Sequence, residues 1–232
     1  MIAVTFALPA ESSEFLRRLR DRTGADRNGV RIIAGKINDR AIEVLHTGVG
    51  EKACRQRVAK FLQDQQFDLL ISTGFAGALN DQLKVGDLLL AKNFSTIELN
   101  NRRKSFSSLP IHEVELLTVS ALIDSSEKRL EIARASGTAA VDMETKFIAR
   151  ACADHGIPLL SLRVISDTLD ESFPAPTKVL FDIEQQRTRF LTFATFFLGH
   201  PNRVSRLVQF ARRIARARKI LTGALVAVIS EL

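Results

Sequence analysis

Short apolar runs alternate with helix-like segments along the first 170 residues of the chain. Most of the apolar runs lack strict alternation, which is typical of strands that are buried on both faces. The predicted strands are IAVTFAL, VRIIAGKI, AIEVLHTG, FDLLISTG, VGDLLLAK, VELLTVSAL and LLSLRVISD, and the predicted helices cover residues 11–20, 49–65, 125–136 and 142–155. This order predicts an α/β fold with three layers, α/β/α, around a central mixed sheet.

The last third of the chain has a different pattern. An irregular segment, SFPAPTKVL, precedes a phenylalanine-rich helix predicted for residues 187–200 and a second helix that starts near residue 202 and continues through ILTGALVAVI. The apolar runs FLTFATFFL and ILTGALVAVI are nine and ten residues long, fewer than the roughly 20 that span a bilayer. No glycine-, proline- or serine-rich linker divides the chain. We therefore predict a single domain over residues 1–232, with a helical C-terminal extension over about 185–232.

The net charge of +7 comes from one block near the C-terminus. Residues 185–230 include nine basic residues and no acidic one, so the rest of the chain carries −2. The basic residues are Arg187, Arg189, Arg203, Arg206, Arg212, Arg213, Arg216, Arg218 and Lys219. Because the main body is nearly neutral, the charge does not indicate a general polyanion binder, and nucleic acid is not a predicted partner.

The basic C-terminal helix allows two interpretations. One face, opposite the arginines, carries the apolar residues Val204, Leu207, Val208, Ala211, Ile214 and Ala215. A basic amphipathic helix can lie on an anionic membrane surface as a peripheral contact. Alternatively, its apolar face packs onto the domain or onto a neighbouring subunit while the arginines are solvated. Both interpretations stay open at this point.

Composition adds several exclusions. The chain is 46% apolar and 25% charged, which are ordinary values for a globular protein. Its two cysteines and four histidines show no ligand spacing, so we predict no metal site and no cofactor. The chain begins with an apolar run that no basic stretch precedes, which argues against a signal peptide. We therefore expect a cytoplasmic protein.

Three carboxylates follow predicted strands or turns. Glu11 comes after the first strand, Glu144 begins a helix, and Asp167 closes LLSLRVISD. Ligands of open α/β sheets collect at the carboxyl ends of strands, and the glycine-rich turns predicted at HTGVGE and STGFAGAL let the backbone approach a ligand. The pattern indicates a small-molecule site. The alternative is that Glu11 and Asp167 are helix caps and that Glu144 is a solvated first-turn residue.

Several segments, taken in order, resemble the purine nucleoside phosphorylase superfamily, above all its methylthioadenosine/S-adenosylhomocysteine nucleosidase branch. They are ALPAESSEFL, HTGVGEKAC, STGFAGALNDQLKVGD, VDMET and RVISD, and the resemblance covers residues 1–170. The part from SFPAP onward is similar to the hopanoid-associated phosphorylases, which act on a nucleoside-bearing lipid. The resemblance implies a homo-oligomer that cleaves the N-glycosidic bond of an adenosine-type nucleoside, either small or lipid-linked.

The resemblance also implies a role for each matched residue. Asp167 matches the general acid that protonates the leaving purine, and Glu11 matches the carboxylate that orients or deprotonates the attacking water. Glu144 matches the residue that binds the ribose hydroxyls. The other residues expected to bind substrate are Ala7, Val49, Phe75, Ala76, Gly77, Asp142, Met143, Arg163 and Ser166.

Departures from the family pattern bear on the nucleophile. Phe75 stands where the nucleosidases have a small residue, usually serine, and Asp142 replaces a glutamate. The loop that would supply an aromatic residue to adenine is shortened to about TVSALIDSSEK, so the family's base-recognising residue cannot be carried over to this chain. Because the phosphate loop and phosphate arginine of the phosphorylases are absent, we expect water as the nucleophile. A phosphate-dependent phosphorylase and a catalytically weak nucleoside-binding protein of the same fold stay open as alternatives.

Overall fold

The computed structural model describes residues 1–97, 110–123, 125–169, 199 and 204–232. The strands in these residues are β1 (Ile2–Phe6), β2 (Arg20–Arg27), β3 (Val30–Ile37), β4 (Arg40–His46), β5 (Leu69–Ala78), β6 (Leu88–Ala91), β7 (Ile111–Val114), β8 (Leu116–Thr118), β9 (Ala140–Asp142) and β10 (Leu159–Asp167). The helices are α1 (Pro9–Leu16), α2 (Glu51–Leu62), α3 (Ser126–Ser136), α4 (Thr145–Asp154) and α5 (Val204–Glu231).

The strands form one mixed sheet in the order β2-β3-β4-β1-β5-β10-β6-β7, and β9 joins β8 to β5. The four central strands β4, β1, β5 and β10 run parallel to one another, whereas β6 runs antiparallel to β10. The carboxyl ends of the four parallel strands therefore meet at one edge of the sheet. This is the edge at which an open α/β sheet binds its ligands.

Alternate residues of the central strands face two different helix layers, as the two-residue period of a strand requires. Val4 and Phe6 of β1 belong to a core that includes α1 and α5. Ala3 belongs to a second core that includes α2 and α4. Helices therefore cover both faces of the mixed sheet, and the predicted three-layer α/β/α fold is confirmed.

Helix α5 is an integral part of one layer rather than an appended extension. Six apolar or small residues in its second half are buried in the same core as β1 and β10, namely Ala217, Leu221, Ala224, Leu225, Val228 and Ile229. In its first half, Val204 and Val208 are 43% and 44% exposed. Of the predicted apolar face over residues 204–215, Ala211 is also exposed, whereas Leu207, Ile214 and Ala215 are half-buried.

Part of the predicted C-terminal region lies outside the described residues: the segment SFPAPTKVL, the phenylalanine-rich helix, and Arg187, Arg189 and Arg203. Among the described residues, no helix combines the length and the apolar character needed to cross a lipid bilayer.

Two predicted element boundaries near the N-terminus and in the centre of the sheet are wrong. The helix predicted for residues 11–20 ends at Leu16, and β2 follows it. The residues of β2 are almost all exposed and are held by backbone pairing with β3, so no apolar pattern marks them. The turn predicted at STGFAGAL is a continuation of β5 to Ala78, because β10 and β9 pair with its last residues.

Two further boundaries differ around the VDMET segment. The predicted helix over 142–155 begins only at Thr145, because Asp142 ends β9 and its carboxylate accepts the Thr145 backbone N–H at 3.0 Å. The single strand predicted over VELLTVSAL is divided into the end of β7 and the short β8, which stops at Thr118. The residues after Thr118 are thereby free to line the site described next.

Candidate active site

A cavity of about 400 Å³ lies at the carboxyl edge of the parallel strands. Eleven of the twelve predicted site residues line it: Ala7, Glu11, Val49, Phe75, Ala76, Gly77, Asp142, Met143, Glu144, Ser166 and Asp167. Glu144 and Asp167 are 8% and 4% exposed, and Asp167 ends a strand. The alternative that Glu144 is a solvated residue and Asp167 a helix cap is therefore wrong. Its third part is confirmed, because the Glu11 carboxylate caps the start of α1 by accepting the Leu8 N–H.

Glu11 is held at the start of α1 with its carboxylate turned back over the preceding backbone. Its Oε2 accepts the N–H groups of Ala7 at 2.9 Å and Leu8 at 3.3 Å. Burial raises the pKa of Glu11 to about 7 from an ordinary 4.5, although these N–H groups and the charge of Arg163 oppose the rise. A Cβ at Gly74 would lie 3.1 Å from Oε2, so a glycine in β5 makes room for this carboxylate. Near neutral pH, Glu11 is thus a stronger base than an exposed carboxylate.

Glu144 lies directly before α4 and reaches the glycine-rich turn after β4. Its Oε1 accepts the Gly50 N–H at 2.8 Å. Gly50 has a φ of 83°, in the left-handed region that favours glycine. Burial, together with the nearby carboxyl groups of Asp142 and Glu11, raises the pKa of Glu144 from 4.5 to about 8. Two carboxyl groups that titrate near neutral pH therefore lie in one site, an arrangement that is common at functional sites.

Asp142 and Arg163 form a buried network behind Glu144. Asp142 Oδ2 accepts hydrogen bonds from Arg163 Nη2 at 3.1 Å and from the backbone and hydroxyl groups of Thr145, and its Oδ1 accepts the Thr118 hydroxyl at 2.8 Å. Arg163 Nη2 also donates to Ser72 Oγ at 2.8 Å. Both carboxylate oxygens of Asp142 are thus bonded to protein groups that fix the turn carrying Met143 and Glu144.

Asp167 is paired with an arginine that sequence reasoning missed. Its Oδ1 accepts the Ser166 hydroxyl at 2.6 Å, and its Oδ2 forms an ion pair with Arg129 of α3. The Arg129 guanidinium also donates to the backbone carbonyls of Ile123 and Ala78. Arg129 is the one buried residue of α3. No sequence pattern indicated this role, because SEKRLEIARAS contains several charged residues and nothing in the segment distinguishes the one that is buried.

Apolar side chains from two unpredicted places complete the walls of the cavity. The chain after β8 contributes Val119, Ala121, Leu122 and Ile123, and α5 contributes Phe210 and Ile214. Phe210 and Ile214 are four residues apart on one helix, a spacing that places two side chains on the same face. Their proximity to the carboxylates depends on how α5 packs and could not be read from the spacing alone.

A second, much smaller cavity lies behind the first and is lined by polar groups. Its volume is about 10 Å³, and Glu11, Glu144 and Arg163 line it together with Thr5 and Phe75. Arg163, the twelfth predicted residue, thus lies at this inner cavity and not at the larger one. A cavity of this size holds about one water molecule. It is too small for a phosphate ion.

Comparisons with known proteins agree with this fold. Residues 1–107 and 95–195 match the family described as the phosphorylase superfamily. The 5′-methylthioadenosine/S-adenosylhomocysteine nucleosidase of Staphylococcus epidermidis is 24% identical over 196 residues, which cover 72% of this chain and 86% of that protein. The crystal structure of the Campylobacter jejuni nucleosidase of the same name covers 100% of this chain and 99% of its own, with a TM-score of 0.75 and 19% identity. The structure of the futalosine hydrolase of Helicobacter pylori covers 100% of this chain and 97% of its own, with a TM-score of 0.74 and 18% identity.

Proposed function

This chain belongs to the phosphorylase superfamily, and on that basis we propose that it is an enzyme that hydrolyses the N-glycosidic bond of an adenosine-type purine nucleoside. One observation carries the choice of water over phosphate. The inner cavity between Glu11, Glu144 and Arg163 has the volume of one water molecule. The larger cavity beside it has a volume within the range of small-molecule sites.

In the proposed reaction, a water molecule in the inner cavity attacks the anomeric carbon C1′. The bond between this carbon and the water oxygen forms as the C1′–N9 bond breaks, and the electron pair of the broken bond goes to the purine. Glu11 accepts the proton that the water loses. Asp167, which takes up a proton from solvent when the nucleoside binds, gives this proton to the purine. Solvent returns both carboxyl groups to their starting protonation states. The products are a free sugar and a neutral base.

The side chains that line the larger cavity suit the two halves of a nucleoside. Glu144 and Met143 would contact the ribose, where the carboxyl group of Glu144 forms hydrogen bonds with the sugar hydroxyls. Asp167 would contact the purine, flanked by Ser166 and Arg129. The raised pKa of Glu11, about 7, supports its role as the base, because a general base is most effective when its pKa lies near the working pH.

Release of adenine from methylthioadenosine, S-adenosylhomocysteine and adenosine tests the proposal. We expect release from at least one of them in buffer without phosphate. Release that requires phosphate would favour the phosphorylase alternative. A nucleoside that raises the Tm but is never cleaved would favour the catalytically weak binding protein, for which Phe75 at the inner cavity is the supporting observation.

We further propose a lipid-linked nucleoside as substrate and a peripheral membrane contact through the first half of α5. Phe210 and Ile214 of this half line the cavity, so an apolar sugar substituent would lie against α5. Val204 and Val208 on the same half are exposed next to exposed arginines. Basic residues near an anionic leaflet each contribute about 1 kcal/mol. The homo-oligomer, the cytoplasmic location and the single domain likewise stay predictions.

Co-sedimentation with vesicles of phosphatidylserine and phosphatidylcholine tests the membrane contact. Truncation is unsuitable, because the second half of α5 is part of the core, so the variant replaces Arg206, Arg212 and Arg216 with glutamine. We expect binding of the unmodified chain at low salt, weaker binding at high salt, and loss of binding in the variant. Equal recovery in the supernatant with and without vesicles would leave α5 as a soluble surface.

A further inference from the structure

Thr5 in β1 has a buried hydroxyl group that the fold alone does not explain. Its side chain is fully buried, and its Oγ1 has no hydrogen-bond partner among the described residues. Leaving a buried hydroxyl unpaired costs about 1–3 kcal/mol, and buried polar groups of this kind are commonly satisfied by ordered water. Thr5 lines the inner cavity together with Glu11, Glu144 and Arg163. The unpaired hydroxyl therefore borders the space that fits one water molecule.

The alternation of β1 gives the direction of the Thr5 side chain. Phe6 faces the core formed by α1 and α5, whereas Ala3 faces the core formed by α2 and α4. Thr5 therefore shares the face of Ala3. Its neighbour on the adjacent strand β5 is Ser72, whose Oγ accepts a hydrogen bond from Arg163. The Thr5 hydroxyl thus lies on the side of the sheet where the buried Arg163 network is built.

We propose that Thr5 is a positioning residue for the nucleophilic water in the inner cavity. This inference rests on the proposed hydrolysis. Thr5 Oγ1 accepts one hydrogen of the water and Glu11 accepts the other, which leaves a lone pair of the water oxygen for C1′. Thr73 lines the same cavity with a second buried hydroxyl that has no partner among the described residues. It follows Ser72 directly in β5, however, and therefore lies on the face of the sheet opposite to Ser72 and Thr5. Phe75 has no side-chain hydrogen-bonding group. Only the proton that goes to Glu11 is transferred, so Thr5 keeps its own proton throughout.

Two variants of Thr5 separate this role from a structural one. Thr5→Val keeps the shape of the side chain and removes the hydroxyl. We expect kcat to fall about 10- to 100-fold, the range expected when a reacting group is slightly misplaced. KM should stay unchanged, because Thr5 does not touch the nucleoside. The Tm should stay level or rise, because an unpaired buried hydroxyl is removed. Thr5→Ser restores the hydroxyl and should recover most of kcat.

Thr222 provides the control, since it is a buried threonine on α5 away from both cavities. Thr222→Val should leave kcat unchanged. If Thr5→Val lowers the Tm, Thr5→Ser and Thr5→Ala give a second pair that differs by the hydroxyl oxygen alone. If the unmodified protein hydrolyses nucleosides and the variants without the hydroxyl keep the wild-type kcat, the proposed role of Thr5 is wrong. Absence of base release from the unmodified protein would instead overturn the proposed function.

Discussion

Asp167 is the residue on which protonation of the leaving base depends in the proposed reaction. An amide in place of the carboxyl group cannot supply this proton, so Asp167→Asn should lower kcat/KM by about 10²–10⁴-fold. A melting curve must accompany the assay, because Arg129 loses the partner of its buried ion pair. Near-normal turnover in Asp167→Asn would show that another group protonates the base.

Glu14 supplies the matched control for the carboxylates of the site. It lies on α1 like Glu11, pairs with Arg17 and does not line the described cavities. Glu14→Gln should therefore keep wild-type activity, whereas Glu11→Gln should lose it.

The ionisation of Glu11 predicts how activity depends on pH. Only the ionised carboxylate can accept the proton of the water, and the pKa of Glu11 is about 7. We therefore expect kcat/KM to rise as pH increases towards 7 and this rise to end above 7, whereas Glu11→Gln should be inactive throughout. The measurement is a profile of kcat/KM between about pH 5 and 9. A profile without a rise through neutral pH would contradict the role of Glu11 as base.

The sequence indicated the site residues that stand in recognisable motifs, but not those that stand outside such motifs. Glu11, Glu144 and Asp167 follow strands and stand in recognisable segments, so the sequence pointed to them. Arg129 and Thr5 are ordinary residues in their own helix and strand. Their importance arises from what the tertiary structure packs against them, which no local pattern records.

At the scale of elements, the final residues of β5 determine whether the site can form. A Cβ at Gly77 would lie 3.0 Å from Asp167 Oδ2 and 3.1 Å from an Arg129 guanidinium nitrogen. Gly77→Ala should therefore displace the ion pair and lower kcat/KM at least about tenfold, a loss of roughly 1.4 kcal/mol in transition-state stabilisation. Steady-state kinetics on a variant with a native-like circular dichroism spectrum measure this effect.

Gly223 in α5 is the control for that substitution. Nothing lies within 4 Å of a Cβ built there, so Gly223→Ala should keep activity and stabilise the helix by about 0.5–1 kcal/mol. Wild-type activity in Gly77→Ala would show that β5 tolerates a side chain at this position and that the ion pair can shift without loss.

The predicted elements agree with the structure where burial leaves an apolar pattern. Strands β5 and β10 are buried along almost their whole length and were anticipated as apolar runs. Strand β2 is exposed and held by backbone hydrogen bonds to β3, so its sequence carries no such pattern. The two halves of α5 have different surroundings: the second half packs in the core, and the first half borders the cavity. Amphipathic spacing predicted the helix but could not say which half is buried.

For the whole molecule, the buried carboxyl groups of the site should make stability depend on pH. In the folded chain the pKa values of Glu11 and Glu144 are raised to about 7 and about 8, from 4.5 for the ordinary group. The folded state therefore binds more protons than the unfolded state between about pH 4.5 and 8, and the free energy of unfolding should fall as pH rises through this window. Each pKa unit corresponds to about 1.4 kcal/mol.

Glu144→Gln isolates this contribution, because glutamine is neutral in both states. The free energy of unfolding of the variant minus that of the unmodified chain should be larger at about pH 8 than at about pH 5. Urea unfolding at the two pH values measures this difference. An equal difference in the free energy of unfolding at the two pH values would show that Glu144 does not carry the raised pKa.

The identity of the sugar product shows whether this site transfers the sugar of a purine nucleoside to water. The protein is incubated with an adenosine-type nucleoside in the presence of excess phosphate, and the released sugar is analysed by mass spectrometry. We expect free sugar in amounts equal to the released adenine, at a rate that phosphate does not change. Formation of a sugar 1-phosphate, or no release of base from any of the nucleosides, would contradict the proposed hydrolysis.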